Sequence, residues 1–576
     1  MPGRATILKM GSAKTDVDVI VIGGGVNGTG VARDCALRGM SVALFEKNDI
    51  GFGASGNSSG MIHGGPRYLT KNPQVTYTSC LDSGHIQSIA PHLLFRVPFL
   101  VPVFERGARA AAKLATYDAF FDVYDRYQYL KSGKKHLRFS GDEVADLEPS
   151  LVPTSGAVSF DEWGIDGVRL CVGSLKDAEE RGARIFNHTS VVRIVRGPDG
   201  EATGVDFEDR ETAKRGRLSA RFVVNATGAW APITARMGEV ARSAVRLRPG
   251  KGVHVLLEHR LSNFAVVTQA VDGRQVFLYP WQNMSVLGTT DDDYYSDLDD
   301  VTASTEEVRY LREAISKVIP AVRHARAIGT TAGVRPTLYQ WGPHEDALSR
   351  DHKIVDHERD GVAGLYSMLG GKLASYRLFA EEMADELAKR LGVTTSCQTH
   401  SVALPGGEER VQEGEREAWR AKHAVDGLTA ARLSYRHGAR TLQILEADEA
   451  KNNVVVCSCE PVLDSEVRHA VRHEWARSVD DVARRTRLGM GVCGGMRCAL
   501  HCGRIVAEER GLSPTEGLNS AAEFLRSALV RRLPAVGPEQ AVQEKLAAEH
   551  FRAQTGLDVS VRRPQAPFSP KKEGEE

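Results

Sequence analysis

The chain has 576 residues, and its 74 Lys and Arg balance 74 Asp and Glu to a formal net charge of zero. That length implies roughly three or four folding units, and the neutral balance removes the bulk electrostatic case for nucleic acid as a partner. Hydrophobic residues make up 42%, yet no apolar run is long enough to cross a bilayer, so a globular chain that does not span membranes is expected.

Residues before Asp16 include basic groups but no apolar core, which argues against a secretory signal and sets a cytoplasmic, reducing compartment as the expectation. Val17 to Ile22 is apolar except for Asp18, Gly23-Gly24-Gly25-Val26-Asn27-Gly28 follows, and Val31, Ala32, Cys35 and Ala36 recur at helical spacing. The pattern predicts strand, turn and helix. Gly39 supplies a left-handed stop, and Ser41 to Phe45 forms a second apolar strand ending at Glu46, completing a βαβ unit. In Gly23-x-Gly25-x-x-Gly28 the first glycine permits a sharp turn and the second lets backbone approach a pyrophosphate. The third lets the helix pack against the strand, with its amide dipoles facing the phosphates. Glu46 stands where a carboxylate accepts from both ribose hydroxyls, which favours FAD or NAD over a 2′-phosphorylated nucleotide. The turn does not choose between those two. Gly51 to Gly60 is small and hydroxyl-rich, with Ser55 and Ser58 able to lie along an extended dinucleotide, and His63-Gly64-Gly65 lets a flat group come near the backbone.

Further along, Arg106 to Arg138 mixes Leu114, Tyr117, Phe120 and Phe121 with Lys113, Lys131, Lys134 and Lys135. A peripheral membrane patch and a core helix with basic ends account for it equally. Arg221 to Ala226 is a buried-strand candidate stopping at Thr227-Gly228, a common flavoprotein strand end. Arg274 to Tyr279 and Met284 to Leu287 alternate as antiparallel strands of a second domain would. Gly364 to Leu369 is a third buried strand ending in Gly370-Gly371, and Tyr376, Ala380, Met383, Leu387 and Leu391 then mark a long helix stopped by Gly392. The polar stretch 394–414, with Pro405-Gly406-Gly407, reads as a linker, 415–560 is mainly helical in pattern, and the Pro-rich charged tail 562–576 is expected to be disordered.

Nine cysteines in a chain without a secretory signal argue against a disulfide scaffold. Cys457-Ser-Cys459 and Cys493-Gly-Gly-Met-Arg-Cys498 supply four thiols in two tight pairs, as an iron-sulfur cluster or structural zinc requires. The single residue inside the first pair argues against a zinc ribbon. Cys502, beside His501, is a further candidate, and Arg484, Arg485, Arg487 and Arg497 would offset the charge of a cluster or simply face water.

Two motifs carry a resemblance. Ile22-Gly-Gly-Gly-Val-Asn-Gly-Thr-Gly-Val-Ala-Arg-Asp34 with Arg38-Gly39, and Gly370-Gly-Lys-Leu-Ala-Ser-Tyr-Arg377 with Ala380, resemble the FAD-dependent glycerol-3-phosphate dehydrogenases from about Val17 to Leu391. The cysteine window, with Val456-Cys-Ser-Cys-Glu460, resembles the bacterioferritin-associated-ferredoxin-like 2Fe-2S motif, interwoven here with a helical domain similar to that family's C-terminal domain.

The resemblance implies an α/β fold with a discontinuous Rossmann-like FAD-binding domain (15–95, 150–245 and 350–393). A D-amino-acid-oxidase-like α+β substrate domain (96–149 and 246–349) and the helical C-terminal domain complete it. It implies cofactor contacts at Gly23, Gly25, Gly28, Glu46, Ser55, Ser58, His63, Gly64, Gly65, Ala226, Thr227, Gly228, Gly370, Gly371, Lys372 and Leu373. Substrate contacts are expected at Arg67, Tyr68, Arg335, Arg350, Lys372 and Thr290, because a phosphate dianion calls for cations with charge-assisted hydrogen bonds. Lys372 would also stabilise anionic reduced flavin. For the hydroxyl proton, His254 with an ordinary pKa near 6.5 is one answer, and Arg335 holding the developing oxygen charge is another. Cys457, Cys459, Cys493 and Cys498 are the expected metal ligands. The implied activity is oxidation of sn-glycerol 3-phosphate to dihydroxyacetone phosphate by hydride transfer to flavin N5. Electrons would then pass through a 2Fe-2S cluster to a quinone or other acceptor, in a homodimer peripheral to the inner face of the cytoplasmic membrane. The alternatives are a glycerol-3-phosphate oxidase, a flavin amine or opine dehydrogenase, and a non-catalytic flavin and iron-sulfur electron-transfer subunit. A cage of cations around the substrate separates them, since an amine oxidase has no need of one.

Overall fold

The computed structural model describes residues 15–70, 72–342, 351–447 and 454–561. Val17–Ile22 forms the expected strand, with Val19, Ile20 and Val21 fully buried. A strand covered on both faces reads as a continuous apolar run, as parallel sheets require. It pairs in parallel with Val42–Phe45 on one side (Val19 opposite Val42) and with Arg215–Asn225 on the other (Ile22 opposite Asn225). Leu365–Gly370 adds the next parallel strand, and His352–Asp356 closes that edge antiparallel. Helix Val26–Leu37 crosses between the first two strands and packs against helix Tyr376–Leu391, whose end is closed by Gly392 in the left-handed region (φ 72°). The sheet is thus doubly wound and assembled from distant stretches of chain.

A second, mostly antiparallel sheet stands beside it, built from Leu94–Val103, Gly156–Ile165, Leu247–Leu257, Ala265–Gln269, Gln275–Trp281, Met284–Gly288 and Ala327–Leu338 with shorter strands. Gly156–Ile165 corrects the expected boundary, which placed 150–245 in the nucleotide-binding unit. It pairs along its full length with Leu94–Val103, from Leu94 opposite Ile165 to Val103 opposite Gly156. Its near-continuous burial gave no hint of which sheet it joins.

Helix Gly107–Asp125 buries one face of the basic aromatic stretch, while Val123, Tyr129 and Leu137 are exposed. Leu114 and Phe121 are buried, Tyr117 and Phe120 pack against the same cluster, and Lys131 is fully buried as the partner of Glu162 (2.5 Å). The stretch 394–414 has no regular structure before Glu413, yet it is no loose linker. Leu404 is fully buried, its amide donates to the Ile89 carbonyl (2.8 Å), and the buried Arg33 guanidinium donates to the carbonyls of Thr399 and Val402. A buried guanidinium needs acceptors, and this segment supplies them. The remainder is helical, as expected, around a core that includes Val467, Val482, Ile505 and Phe524. It docks on both sheets. Arg169 of the first unit forks onto Glu474 (2.8 and 2.9 Å), and Thr330 of strand Ala327–Leu338 donates to the Arg531 carbonyl (2.6 Å). The tail 562–576 lies outside the described residues.

Candidate active site

A cavity of about 1070 Å³ runs from the glycine-rich turn to the face of the second sheet. That exceeds the usual volume of a small-ligand pocket and suits a dinucleotide with a small substrate. Gly23 (φ 114°) makes the turn, and a Cβ on Gly28 would stand 2.0 Å from the Gly23 carbonyl oxygen. Gly28 therefore packs the helix onto the turn without lining the cavity, while Gly23 and Gly25 line it. At the helix N-terminus the Val26 amide donates to Ser55 Oγ (2.9 Å), drawing the hydroxyl-rich stretch over the turn. Ser58 lines the cavity and accepts from the Gly60 amide (3.2 Å). Glu46 accepts from the amides of Gly24 (2.7 Å) and Asn48 (2.8 Å), and burial raises its pKa. A carboxylate has about four lone-pair sites, so ribose hydroxyls find acceptors there too. Asn27 Oδ1, on the cavity wall, is buried with no hydrogen-bond donor from the protein. An orphaned acceptor beside a phosphate-type turn fits a bound dinucleotide, and Ala226, Thr227, Gly228, Gly370, Gly371 and Leu373 complete its walls.

His63 and Gly65 line the cavity, but Gly64 faces away, its amide donating to Glu162 (3.3 Å). Glu162, itself on the cavity wall, also accepts from Tyr124 Oη (2.5 Å) and Lys131, so a buried ion pair anchors Gly64.

The second sheet supplies the polar end. Its pairing sets Gly252 opposite Gly333 and His254 opposite Thr331, with Arg335 two residues further on from Gly333. The Arg335 guanidinium lies across Gly252, where a Cβ would be 2.3 Å from Nη2, and donates to Asp291 Oδ1 (2.9 Å) and Thr289 Oγ1 (3.0 Å). His254 is 2% exposed, with Nε2 bonded to Ser59 Oγ (2.8 Å) and Nδ1 to Thr331 Oγ1 (3.3 Å). Burial first, and then the Arg335 charge, hold its pKa down at about 3, well below the 6.5 expected of it. The imidazole is neutral throughout the physiological range and a weaker base than the sequence suggested. Lys372 Nζ stands 4.0 Å from the Tyr68 ring centre, a cation–π contact that places both on the cavity wall.

Thr290 is a correction. It is 2% exposed, its hydroxyl accepts from the Val253 amide (3.0 Å), and it does not line the cavity. The neighbouring Thr289 does, its hydroxyl accepting from Arg335 (3.0 Å). Arg350 and the side chain of Arg67 lie outside the described residues. Ser59, Thr331, Asp291 and Thr289 join the expected site residues; Ser59, Thr289 and Asp291 are sequence neighbours of the expected Ser58 and Thr290, whereas Thr331 carries no spacing signal.

The four chosen cysteines stand as two pairs. Cys457 ends strand Val455–Cys457 and Cys498 caps helix Ala499–Arg510, where the Cys498 thiol beside it holds the Cys457 pKa down at about 6. Cys459 and Cys493 stand Sγ to Sγ at 3.8 Å. Two close sulfur pairs from two short loops match the donor set that an iron-sulfur cluster takes. Cys502 is fully buried, one turn into the helix behind Cys498. The arginines depart from expectation: Arg485 pairs with Asp49, Arg484 with Asp480, and Arg487 with Glu460, while Arg497 is exposed. Arg532, not foreseen, lies over the cysteine loop, since a Cβ on Gly494 would be 2.1 Å from its Nη2.

A family model described as FAD dependent oxidoreductase matches residues 18–376, and one described as the C-terminal domain of alpha-glycerophosphate oxidase matches residues 397–517. The chain is 32% identical over 515 residues to one of the subunits of the anaerobic glycerol-3-phosphate dehydrogenase of Haemophilus influenzae, covering 88% of each chain. It is 31% identical over 512 residues to the protein of the same name from Escherichia coli, covering 88% of this chain and 91% of that one. Among solved structures, the glycerol-3-phosphate dehydrogenase from Bacillus halodurans complexed with FAD aligns with a TM-score of 0.71 at 25% identity, covering 91% of this chain and 97% of the other. Glycine oxidase from Bacillus cereus, at 22% identity and a TM-score of 0.50 over 69% of this chain and 100% of that one, shares the fold.

Proposed function

The chain belongs to the FAD-dependent glycerol-3-phosphate dehydrogenase family, and from this membership we propose that it oxidises sn-glycerol 3-phosphate to dihydroxyacetone phosphate. The observation that carries the reading is the convergence of Arg335, Lys372 and His254 on the cavity that begins at the dinucleotide turn. Bound FAD supplies the acceptor at N5 for the hydride that leaves the secondary carbon. Lys372 and Arg335 offer charge-assisted hydrogen bonds to a phosphorylated three-carbon alcohol, and an amine substrate would gain nothing from them. Arg335 stabilises negative charge developing on the substrate oxygen, competing for it with Asp291. His254, neutral because of its burial, orients the hydroxyl and accepts its proton at Nε2, where Ser59 is the hydrogen-bond partner. Tyr68 and Lys372 close the cavity from the first unit.

Cys457, Cys459, Cys493 and Cys498 would hold a 2Fe-2S cluster, which would supply one-electron transfer between the flavin and an acceptor such as a quinone. The sulfur pairing supports this, and so does the naming of both relatives as parts of a larger dehydrogenase, which suits a chain handing electrons onward. No helix among the described residues is long and apolar enough to cross a membrane, so a quinone held in a bilayer would be reached from the surface. Anaerobic addition of glycerol 3-phosphate to the purified flavoprotein tests the reading. Loss of the oxidised-flavin absorbance is expected, and an unchanged spectrum with flavin bound would reject it.

A further inference from the structure

Helix Val479–Thr486 belongs to the cysteine-bearing domain, yet its last turn reaches the loop that walls the dinucleotide cavity. Asp49 is 2% exposed and lies between Asn48 and Phe52, both of which line the cavity. Its oxygens accept a fork from Arg485, Nη1 to Oδ2 at 2.5 Å and Nη2 to Oδ1 at 2.7 Å. Arg485 is fully buried and spends further donors on the carbonyls of Glu474 (2.7 Å) and Asp481 (2.9 Å). The neighbouring Arg484 guanidinium lies 4.9 Å from the Phe52 ring centre. Asp49, His188 and Asp481 bring three ligand-type atoms together, but no cation is called for. Asp49 is matched by Arg485, and Asp481 accepts from His188 Nε2 (2.9 Å) and the Arg477 amide (2.8 Å).

The loop depends on this clasp. The Phe52 amide donates to the Asp49 carbonyl (3.1 Å), the Gly51 amide to the Gly24 carbonyl (2.9 Å), and the Asn48 amide to Glu46 (2.8 Å). Moving Asp49 would shift the loop against the glycine-rich turn and leave a guanidinium buried without its counter-ion, which is strongly unfavourable. A loop ordered in advance spares the ligand the entropy of ordering it.

We propose that Arg485 is a positioning residue for FAD, holding residues 46–52 in their ligand-ready form through Asp49, so that retention of the cofactor is controlled from the cysteine-bearing domain. The proposal rests on the reading of the cavity as an FAD site and goes beyond it by adding a residue that does not line that cavity.

Release of FAD from the purified holoprotein, followed by flavin fluorescence after dilution, tests it. Arg485→Met and Asp49→Asn should each release FAD at least tenfold faster, with KM for glycerol 3-phosphate at saturating FAD within twofold of the parent. Arg485→Lys should recover only part of the loss, because an amine cannot reproduce the fork. Arg440→Ala is the control: that half-buried side chain joins Glu180 and Glu408 at the same domain boundary, away from the loop. Its release rate should match the parent. Unchanged release in both Arg485→Met and Asp49→Asn would overturn the proposal, as would an equal effect of Arg440→Ala, which would make domain docking in general responsible. If Arg485→Met fails to fold, the double variant Asp49→Leu/Arg485→Met removes both charges. Release at the parent rate from that protein overturns the proposal, and tenfold faster release supports it. Parent protein that purifies without flavin and takes up none would instead bring down the FAD reading itself, and this proposal with it.

Discussion

His254 shows how one side chain changes character when it is buried. Its folded pKa is about 3 and its ordinary value 6.5, so the unfolded chain binds more protons between those limits. The stabilising contribution is therefore complete above pH 6.5 and is lost as the pH falls toward 3. His92 and His469, held at about 3 and about 4 by burial, act in the same direction. His136 and His188, whose pKa values are raised, act the other way, so the test is a comparison: lowering the pH from 7.5 to 5 should cost His254→Asn less in urea midpoint than it costs the parent, and an identical slope would remove His254 from the account. Arg335 carries the complementary prediction. Its planar fork spans Asp291 and Thr289, and a single amine does not, so Arg335→Lys should lower kcat/KM for glycerol 3-phosphate about 100-fold, the cost of losing one oriented donor. Anaerobic stopped-flow reduction of the flavin measures it, and an unaltered rate would remove Arg335 from the proposed chemistry. Lys131 and Glu162 were legible only as two charged residues among many. Both are at most 1% exposed, so Lys131→Met should cost about 3–5 kcal/mol in denaturant unfolding by leaving Glu162 buried without its cation.

Among the elements, those with a strong local signal matched their expectations. Val17–Ile22 and Tyr376–Leu391 have the predicted bounds because an apolar run, a near four-residue period and a glycine stop act over a few residues. Gly28 was equally legible, and its Cβ clearance of 2.0 Å turns the motif into a steric statement. Gly28→Ala should yield protein with little bound flavin on purification, since the helix must lift from the turn. Strand Met284–Gly288 marks the limit of such reading. Thr290, just after it, was expected at the site, but whether Thr289 or Thr290 faces the cavity depends on pairing with a strand some thirty residues earlier. Thr289→Val should raise KM for glycerol 3-phosphate with little change in melting temperature, and Thr290→Val should do the reverse. Equal effects on KM would mean that the assigned register does not govern the site.

In the whole molecule, the cysteine-bearing domain is continuous with the rest through buried ion pairs, and those pairs involve arginines whose sequence context suggested a different task. Arg485 and Arg487 sit just ahead of Cys493, which made charge compensation of a cluster the natural reading, yet Arg485 reaches Asp49 of the first unit and Arg487 pairs with Glu460, beside Cys459. If the proposed cluster is present, removing one of its proposed ligands separates it from the flavin. Cys459→Ser should lose iron and slow transfer to a quinone, while flavin reduction by glycerol 3-phosphate continues; full iron content, measured per chain, would show that Cys459 is not a ligand.

What the amino-acid order determined by itself is whatever is written in neighbouring residues: the βαβ turn, the family motifs, the cysteine pairs and the helical character of the last third. Which sheet claims Gly156–Ile165, which threonine meets Arg335, how far burial weakens His254 and where Arg485 directs its fork were decided only by the tertiary structure. Each depends on groups distant in sequence being brought together and removed from water. Burial and pairing of that kind set the energy of a charge or a hydroxyl, and they have no trace in local spacing.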